Sequence, residues 1–379
     1  MFPKKLYQKL DKRHADNALR KLGMHNTLID FSSNDYLGFA KSKTLFDQAH
    51  LLLKNKQIFK NGATGSRLLS GNHNLYKEVE SQLCKFHNSE AALVFNSGYD
   101  ANMGFFSCVP QRNDIIIYDE LIHASIRDGI SMNLAKSYKF KHNNLDDLHE
   151  ILKRVKNYKS DIYVVTESVF SMDGDSPDLK TISQICKKQQ ANLIVDEAHA
   201  IGVFGQQGCG KIQQLNLEEE VFARIITFGK ALGCHGAAIL GNENLKNYLI
   251  NFSRPFIYTT GLPPHSLATI YSAYKELSLT ENIEVLHQNI KYFKSELQRL
   301  ELTSKFIDSN SAIHCCLFPG NKNIKHVAFQ LQQNGFDVKA ILSPTITKGK
   351  ERLRFCLHNY NSSEEITKVL ELVATFVTK

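Results

Sequence analysis

The 379-residue sequence contains no apolar run that approaches the ~18 residues needed for a membrane-spanning helix. Its opening, MFPKKLYQKLDKRHADNALRKLG, lacks the apolar core of a secretory signal, and Asp11 and Asp16 argue against a transit peptide. We therefore expect a cytoplasmic protein that does not enter a membrane. The formal net charge is +8, but Lys and Arg nowhere form a block long enough for a nucleic-acid-binding arm, so no nucleic-acid partner is expected.

The sequence also lacks the CxxC spacing that is typical of zinc and redox sites, although it contains 8 cysteines. These cysteines are scattered over apolar segments, so we expect buried thiols rather than disulfides or a metal site. Tryptophan is absent, which by itself excludes nothing. Hydrophobic residues make up 42% of the chain and charged residues 22%, which excludes a disordered or collagen-like protein. A chain of this length indicates two or three domains.

Short apolar segments alternate with amphipathic helical patterns through the middle of the chain. Several of the apolar segments show no polar alternation, as expected for strands that are covered on both faces. Alternation of strands and helices predicts a mostly parallel α/β sheet that binds ligands at the carboxyl ends of its strands. The predicted strands are Ala91–Phe95, Asp114–Asp119, Asp161–Glu167, Asn192–Asp196, Ala223–Phe228 and Ala237–Leu240.

The pattern changes after about Pro264. A long helical pattern, with a break predicted near Thr280, leads to three predicted strands, and a capping box formed by Ser362 and Glu365 begins the last helix. These features indicate a smaller α+β domain. We predict an amino-terminal helix or arm (residues 1–33), a large domain (34–270) and a small domain (271–379). The predicted strands of the small domain are Ala312–Phe318, Asp337–Leu342 and Arg352–Leu357.

Two motifs suggest an ATPase but lack its context. Residues 196–199 read DEAH, and the glycine-rich stretch from Gly205 to Lys211 approaches a phosphate-binding loop. Such a loop lies between a strand and a helix, whereas these glycines follow DEAH with no strand between them. Ile212 also stands where a hydroxyl would be needed to bind Mg²⁺. We expect an irregular loop here.

Three polar features at the predicted strand ends point to pyridoxal 5′-phosphate (PLP). Asp196 ends an apolar strand, where a buried carboxylate needs a cationic partner such as a pyridinium nitrogen. Lys230 follows the next strand and could form a Schiff base. The turn Ser97-Gly98-Tyr99 opens a helix whose backbone N–H groups could bind a phosphate. Each feature alone has an ordinary alternative, namely a helix cap, a surface lysine and a common turn; together they are the handles that PLP requires.

The order of these motifs resembles the α-oxoamine synthases, PLP enzymes of fold type I, over nearly the whole chain. The resemblance implies an α/β fold with a mostly parallel seven-stranded sheet in a large domain, plus a smaller carboxyl-terminal α+β domain. The matching segments are Phe31–Gly38, Gly65–Gly71, Ser97–Asn102, His123–Gly129, Thr166–Asp175, Val195–Gly205, Thr227–Gly233 and Phe256–Thr260.

The resemblance implies a role for each matching residue around PLP. Lys230 would hold the cofactor covalently, Asp196 would partner the pyridinium nitrogen, His199 would bind the phenolic oxygen, and His123 would stack on the ring. A core histidine is the ordinary alternative for each imidazole. Further contacts with the cofactor would come from Ser97, Gly98, Tyr99, Ser171 and Thr227, and from Thr260 of a neighbouring subunit, which implies a homodimer with shared active sites.

The resemblance also implies substrates. Asn34 and Arg354 would bind an amino-acid carboxylate, Arg20 would lie near the acyl substrate, and Thr345 would lie on the substrate side; the alternative for Arg354 is an exposed strand residue. The expected reaction is the decarboxylative condensation of L-alanine with a pimeloyl thioester, carried by CoA or by acyl carrier protein, in biotin synthesis. The alternative is another family member that uses glycine or serine with a different acyl chain.

Overall fold

The computed structural model describes residues 2–20, 22–23, 27–156 and 160–377. The chain forms two compact units: a large unit of residues 35–170 and 176–283, and a small unit of residues 1–34, 171–175 and 284–379. The amino-terminal residues thus cluster with the carboxyl-terminal ones. The domain ranges 1–33, 34–270 and 271–379 stay a prediction.

The described residues contain twelve strands, most of them five residues long. They are β1 (Ile29–Asp30), β2 (Ala91–Phe95), β3 (Ile115–Asp119), β4 (Lys136–Phe140), β5 (Ile162–Glu167), β6 (Asn192–Asp196), β7 (Ala223–Thr227), β8 (Ala237–Gly241), β9 (Ile313–Leu317), β10 (Phe336–Asp337), β11 (Lys339–Ile341) and β12 (Arg352–Cys356).

Fourteen α-helices lie between and around these strands in the described part of the chain. They are α1 (Lys4–Ala15), α2 (Lys43–Asn55), α3 (Asn74–His87), α4 (Gly98–Phe106), α5 (Ala124–Ser131), α6 (Leu145–Val155), α7 (Leu179–Gln189), α8 (Lys211–Gln214), α9 (Glu243–Phe252), α10 (Arg254–Ile257), α11 (Pro264–Leu277), α12 (Asn282–Arg299), α13 (Asn321–Gln333) and α14 (Ser363–Val377).

The large unit is built on a seven-stranded sheet in the order β2-β8-β7-β6-β5-β3-β4. Strands β4, β3, β5, β6 and β7 are parallel, and β8 is antiparallel to both β7 and β2. This confirms the predicted α/β class and the mostly parallel seven-stranded sheet. Because parallel strands end at one edge, Asp119, Glu167, Asp196 and Thr227 all close their strands on the same side of the sheet.

Hydrophobic clusters cover both faces of this sheet, which explains the continuous apolar strand sequences. On one face, Phe105 of α4 and Ile126 of α5 join a buried cluster with Val165 and Ile194. On the other face, α6 and α7 pack through a second cluster that includes Leu148. Burial on both faces leaves the strand ends as the places where polar side chains are accommodated.

The small unit contains a three-stranded antiparallel sheet in the order β11-β12-β9 and a parallel pair formed by β1 and β10. The predicted capping box is confirmed, because the Ser362 N–H donates to Glu365 Oε2 over 2.9 Å and the Glu365 N–H donates to Ser362 Oγ over 3.2 Å. The predicted helix break is confirmed between Leu277 and Asn282. Among the described residues, no helix combines the length and apolar character needed to cross a membrane.

Candidate active site

Lys230 lies on the turn that follows β7, in contact with His199, which in turn contacts Tyr36. Its Nζ is 2.6 Å from His199 Nε2, and His199 Nδ1 is 2.8 Å from the Tyr36 hydroxyl. His199 and Tyr36 are buried, and Lys230 is half-buried. An amine that contacts an imidazole in this way has a proton partner within hydrogen-bond distance. The structure thus brings together the predicted residues Lys230 and His199 and adds Tyr36 to them.

Asp196 is buried at the end of β6 and is held as a hydrogen-bond acceptor. The Ala198 N–H donates to its Oδ1 over 2.9 Å, and Asn102 Nδ2 donates to its Oδ2 over 2.9 Å. Both bonds fix the orientation of the carboxylate, whose oxygens act as acceptors. The position is therefore suited to the role that the sequence predicts for Asp196.

The predicted phosphate cradle lies at the amino terminus of α4. Ser97 is the N-cap, and its Oγ accepts from the Asp100 N–H over 3.1 Å. A Cβ at Gly98 would fill the space in front of the Thr227 side chain, 3.6 Å away. Tyr99 is exposed, and its hydroxyl donates to Asp128 Oδ2 over 2.6 Å. The predicted residues Ser97, Gly98 and Thr227 therefore surround one small concave turn whose backbone N–H groups could meet an anion.

His123 stands at the start of α5, above the neighbouring strand ends. Its backbone N–H donates to Glu167 Oε1 over 2.6 Å, and partial desolvation lowers the pKa of its imidazole. Glu167 is buried, and desolvation together with the charge of Asp196 raises its pKa to about 8. The charges of Asp196 and Lys230 act on both groups, so these four residues share one electrostatic environment.

Thr260 is exposed on the loop before α11. Its carbonyl accepts from Asn96 Nδ2 over 2.7 Å, and the Thr259 hydroxyl accepts from the same amide over 3.0 Å. Thr260 is thereby anchored to the residue that precedes the Ser97 turn of its own chain. The predicted contact with a cofactor of a neighbouring subunit stays a prediction.

The side chains of the large unit fit PLP in the chemistry of their donors and acceptors. Lys230 provides an amine next to an imidazole, Asp196 provides a buried carboxylate that accepts hydrogen bonds, and Gly98 provides a helix start without a side chain. These are the partners needed by an aldehyde carbon, a pyridinium nitrogen and a phosphate, respectively. The site can therefore hold the cofactor that the sequence predicts.

The predicted carboxylate-binding residues meet in the small unit. Arg354 is buried on β12; its Nη2 donates to Asn34 Oδ1 over 2.9 Å and its Nε to the Ser171 carbonyl over 2.7 Å. Burial rules out the alternative of an exposed strand residue. The guanidinium donates to oxygens of Asn34 and Ser171, and its fork of N–H donors matches the two oxygens of a carboxylate ligand. Ser171 uses its backbone in this contact, and its predicted contact with the cofactor stays a prediction.

Arg20 and Thr345 also meet in the small unit. Arg20 Nη2 donates to Thr345 Oγ1 over 3.2 Å, and both residues are exposed. The segment Leu10–Arg20 resembles a family helix, but α1 ends at Ala15 and Arg20 lies beyond it. Although 325 residues separate the pair in sequence, the fold places these two predicted substrate-binding residues side by side.

The stretch that imitates an ATPase has a structural explanation within the large unit. Glu197 is buried, and its Oε1 accepts from the backbone N–H groups of Lys211 and Ile212 over 2.7 and 3.0 Å. Its Oε2 pairs with buried Arg224. The amides that would face a phosphate in a nucleotide-binding loop are bound by this carboxylate. The expectation of an irregular loop is confirmed, with Gly205, Gly208 and Gly210 at positive φ.

The eight cysteines form no disulfide with one another. Five are buried and three are half-buried, and burial raises the pKa of Cys108 and Cys186 to about 12, which makes them poor nucleophiles. No group of three or more His, Cys, Asp or Glu in the described ranges is arranged to hold a metal ion.

Sequence reasoning missed three residues of the site, Tyr36, Asn102 and Glu167. All three lie inside segments that match the family, so their positions carried a signal, but neither spacing nor composition indicates what they contact. Tyr36 reaches His199 across 163 residues of sequence, and Asn102 reaches Asp196 across 94. Such contacts depend on how the helices pack on the sheet, which the sequence pattern does not specify.

The chain is similar to known proteins over nearly its whole length. Residues 26–373 match the model of the family described as aminotransferase class I and II. The 8-amino-7-oxononanoate synthase of Emericella nidulans is 38% identical over 393 residues, covering 99% of this chain and 95% of the relative.

Two solved structures extend the likeness to three dimensions. An 8-amino-7-oxononanoate synthase from Francisella tularensis has a TM-score of 0.78 at 30% identity, covering 93% of this chain and 99% of that one. A variant serine palmitoyltransferase from S. paucimobilis, solved with a bound PLP–myriocin aldimine, has a TM-score of 0.89 at 26% identity, covering 99% of this chain and 97% of that one.

Proposed function

The chain belongs to the aminotransferase class I and II family, and on this premise we propose that it condenses L-alanine with a pimeloyl thioester in biotin synthesis. The products would be 8-amino-7-oxononanoate, CO₂ and the free thiol of CoA or acyl carrier protein. The observation that carries the proposal is the contact of Lys230 Nζ with His199 Nε2, 2.6 Å apart, in a chain whose full-length relatives are synthases of this kind. PLP-dependent acyl transfer is the chemistry of these relatives.

When bound, PLP supplies an electron sink for the negative charge that forms at the amino-acid Cα. Lys230 would hold the cofactor and then take the proton from Cα as general base, because its amine lies at the carboxyl ends of the strands next to a proton partner. His199, whose ring is held by the Tyr36 hydroxyl, would bind the phenolic oxygen of the cofactor next to Lys230. Asp196 would keep the ring nitrogen protonated.

The phosphate of the cofactor, the amino-acid carboxylate and the acyl group would each be bound by a different set of residues. The Ser97 turn would bind the phosphate through backbone N–H groups, with Thr227 beside it. Arg354 and Asn34 would bind the amino-acid carboxylate, since a guanidinium fork matches its two oxygens. Arg20 and Thr345 would lie at the acyl group.

A second candidate is an α-oxoamine synthase that uses serine or glycine. The likeness to serine palmitoyltransferase over 99% of the chain supports it, because that relative shares the fold and the cofactor. The two candidates differ in the amino acid accepted, and one methyl group changes binding by only ~1–3 kcal/mol. Identifying the product therefore distinguishes the two candidates better than measuring the affinity for the amino acid.

The proposal is tested by incubating PLP-loaded protein with pimeloyl-CoA and L-alanine, glycine or L-serine, and identifying the product by mass. We expect 8-amino-7-oxononanoate from L-alanine, and a loss of at least about 100-fold in Lys230→Ala. The Lys211→Ala variant is the matched control and should retain the rate. A product from glycine or serine alone would replace the proposal by the second candidate, and equal turnover in the two lysine variants would contradict it.

A homodimer and a cytoplasmic location belong to the same proposal. The exposed position of Thr260 leaves its side chain available to a partner subunit, as the resemblance implies. Sedimentation equilibrium of the PLP-loaded protein should give twice the 43.0 kDa chain mass. A monomer that retains full activity would contradict the shared site.

A further inference from the structure

Asn102 is an unusual residue for its position. It lies in the interior of α4 and is 3% exposed, among the hydrophobic side chains that pack this helix on the sheet. Asparagine is disfavoured inside helices because its side chain competes for backbone hydrogen bonds, and burial of an amide is costly without partners. A buried asparagine at this position therefore needs hydrogen-bond partners that offset the free-energy cost of burying its amide.

The partners of Asn102 connect two predicted site residues. Its Nδ2 donates to Asp196 Oδ2 over 2.9 Å and to Ser125 Oγ over 3.0 Å. The Ser125 hydroxyl is 2.7 Å from His123 Nδ1, and the Ser125 backbone N–H donates to the same nitrogen over 3.2 Å. Ser125, Asn102 and Asp196 are buried, so these three members of the chain are shielded from water, while the His123 ring at its end is exposed.

The direction of each bond follows from the first one. The carboxylate of Asp196 can only accept, so the nitrogen of the Asn102 amide must face it. The same nitrogen donates to Ser125 Oγ, which leaves the Ser125 hydroxyl hydrogen for His123 Nδ1. Because the Ser125 backbone N–H also points at Nδ1, that nitrogen is an acceptor, and the neutral imidazole carries its hydrogen on Nε2.

We propose that Asn102 and Ser125 are positioning residues that hold Asp196 as an acceptor and fix the Nε2–H tautomer of His123. Asn102 orients the carboxylate that would face the cofactor, and Ser125 orients the imidazole that would stack on it. The inference deepens the proposed function and rests on it only for the cofactor that the two residues serve. The tautomer is a property of the protein without any ligand.

The tautomer is measured by ¹⁵N NMR of the His123 ring at neutral pH in cofactor-free protein. We expect the Nε2–H form to predominate in the unmodified protein. Ser125→Ala removes one of two donors to Nδ1, worth ~1 kcal/mol, so the ratio of tautomers should shift about five-fold toward Nδ1–H. Ser125→Thr retains the hydroxyl and should restore the original ratio.

The role of Asn102 is measured by the dissociation constant of PLP, followed by absorbance. Asn102→Leu has a similar volume but no donor, and loss of a bond to a charged group should weaken PLP binding by about 10- to 100-fold. Asn289→Leu is the matched control. Asn289 is also buried, and its side-chain amide donates hydrogen bonds to the carbonyls of His358 and Asn361 in the small unit. That control should bind PLP with unchanged affinity.

Two results would overturn the inference. An Nδ1–H tautomer of His123 in the unmodified protein would contradict the bond directions, whatever reaction the enzyme performs. Unchanged PLP affinity in folded Asn102→Leu would remove the positioning role of Asn102. If Asn102→Leu fails to fold, the comparison of Ser125→Ala with Ser125→Thr decides the inference alone. If no condensation product forms but the Nε2–H tautomer of His123 is observed, the proposed substrates are rejected and this inference still holds.

Discussion

His314 illustrates how a single buried residue links the stability of the protein to pH. Its ring stacks on Phe293 with centroids 4.6 Å apart in the small unit, and it is fully buried. Burial, assisted by the charge of Lys294, lowers its pKa to about 3. Between pH 3 and the ordinary histidine pKa of ~6.5, the unfolded chain binds a proton that the folded chain does not. The free energy of unfolding must therefore fall as the pH is lowered through this range.

We predict that His314→Phe reduces this pH dependence. The substitution keeps an aromatic ring against Phe293 and removes the titrating group. The loss of stability between pH 6.5 and pH 4.5, measured by urea unfolding, should shrink by up to about 1.4 kcal/mol per pH unit. His326→Ala, which removes an exposed histidine of α13, is the control and should leave the pH dependence nearly unchanged. Equal slopes in the His314 variant and the unmodified protein would reject this explanation.

The sequence pattern indicates the candidate cofactor-binding residues but not the residues that hold them in place. Lys230, Asp196 and His199 stand at strand ends in a recognisable order, so their place at one edge of the sheet follows from the pattern. Asn102 and Tyr36 act through contacts between elements, and such contacts require the packing of helices on the sheet. Sequence periodicity gives the buried face of a helix but not its partner across that face.

Helix ends are the element-scale features whose energies are most open to test. Asn144 is the N-cap of α6, and its Oδ1 accepts from the Asp147 N–H over 2.8 Å. The residue is exposed, so its substitution changes little besides the cap.

We predict that Asn144→Ala lowers the free energy of unfolding by ~1 kcal/mol, because one amide of the first turn loses its acceptor. Asn144→Asp retains the oxygen acceptor and should stay within ~0.5 kcal/mol of the original protein. Urea unfolding of the two variants at pH 7 provides the measurement. If alanine and aspartate prove equally stable, the cap contributes nothing.

In the seven-stranded sheet, strand prediction succeeded for the buried strands, which include the edge strand β2, and failed for the exposed edge strand β4. β2 and β6 have the predicted bounds, and β3, β5, β7 and β8 differ from them by one residue at one end. The edge strand β4 was missed, because four of its five residues are exposed and its sequence, KSYKF, has no apolar run. Charged edge strands prevent pairing with other chains, and the same charges conceal them from a hydrophobicity pattern.

At the scale of the whole molecule, the fold class and the family follow from the order of motifs along the chain. The seven-stranded sheet is fixed by two buried faces, and family membership rests on matches over residues 26–373. Assignment of residues to the compact units was harder to predict, since residues 1–34 and 171–175 cluster with the carboxyl-terminal part. Long-range pairing such as that of β1 with β10 leaves no local signal in two-residue strands.

The central claim is that Lys230 is the lysine that holds PLP. It is tested most directly by reducing the PLP-loaded protein with borohydride and locating the modified lysine by peptide mass spectrometry. We expect to find the reduced cofactor on the peptide that contains Lys230. The Lys230→Ala variant should carry no reduced cofactor, and Lys211→Ala should be labelled like the unmodified protein. If the label is found on a different lysine, or if Lys230→Ala is labelled as strongly as the unmodified protein, Lys230 is not the lysine that holds PLP.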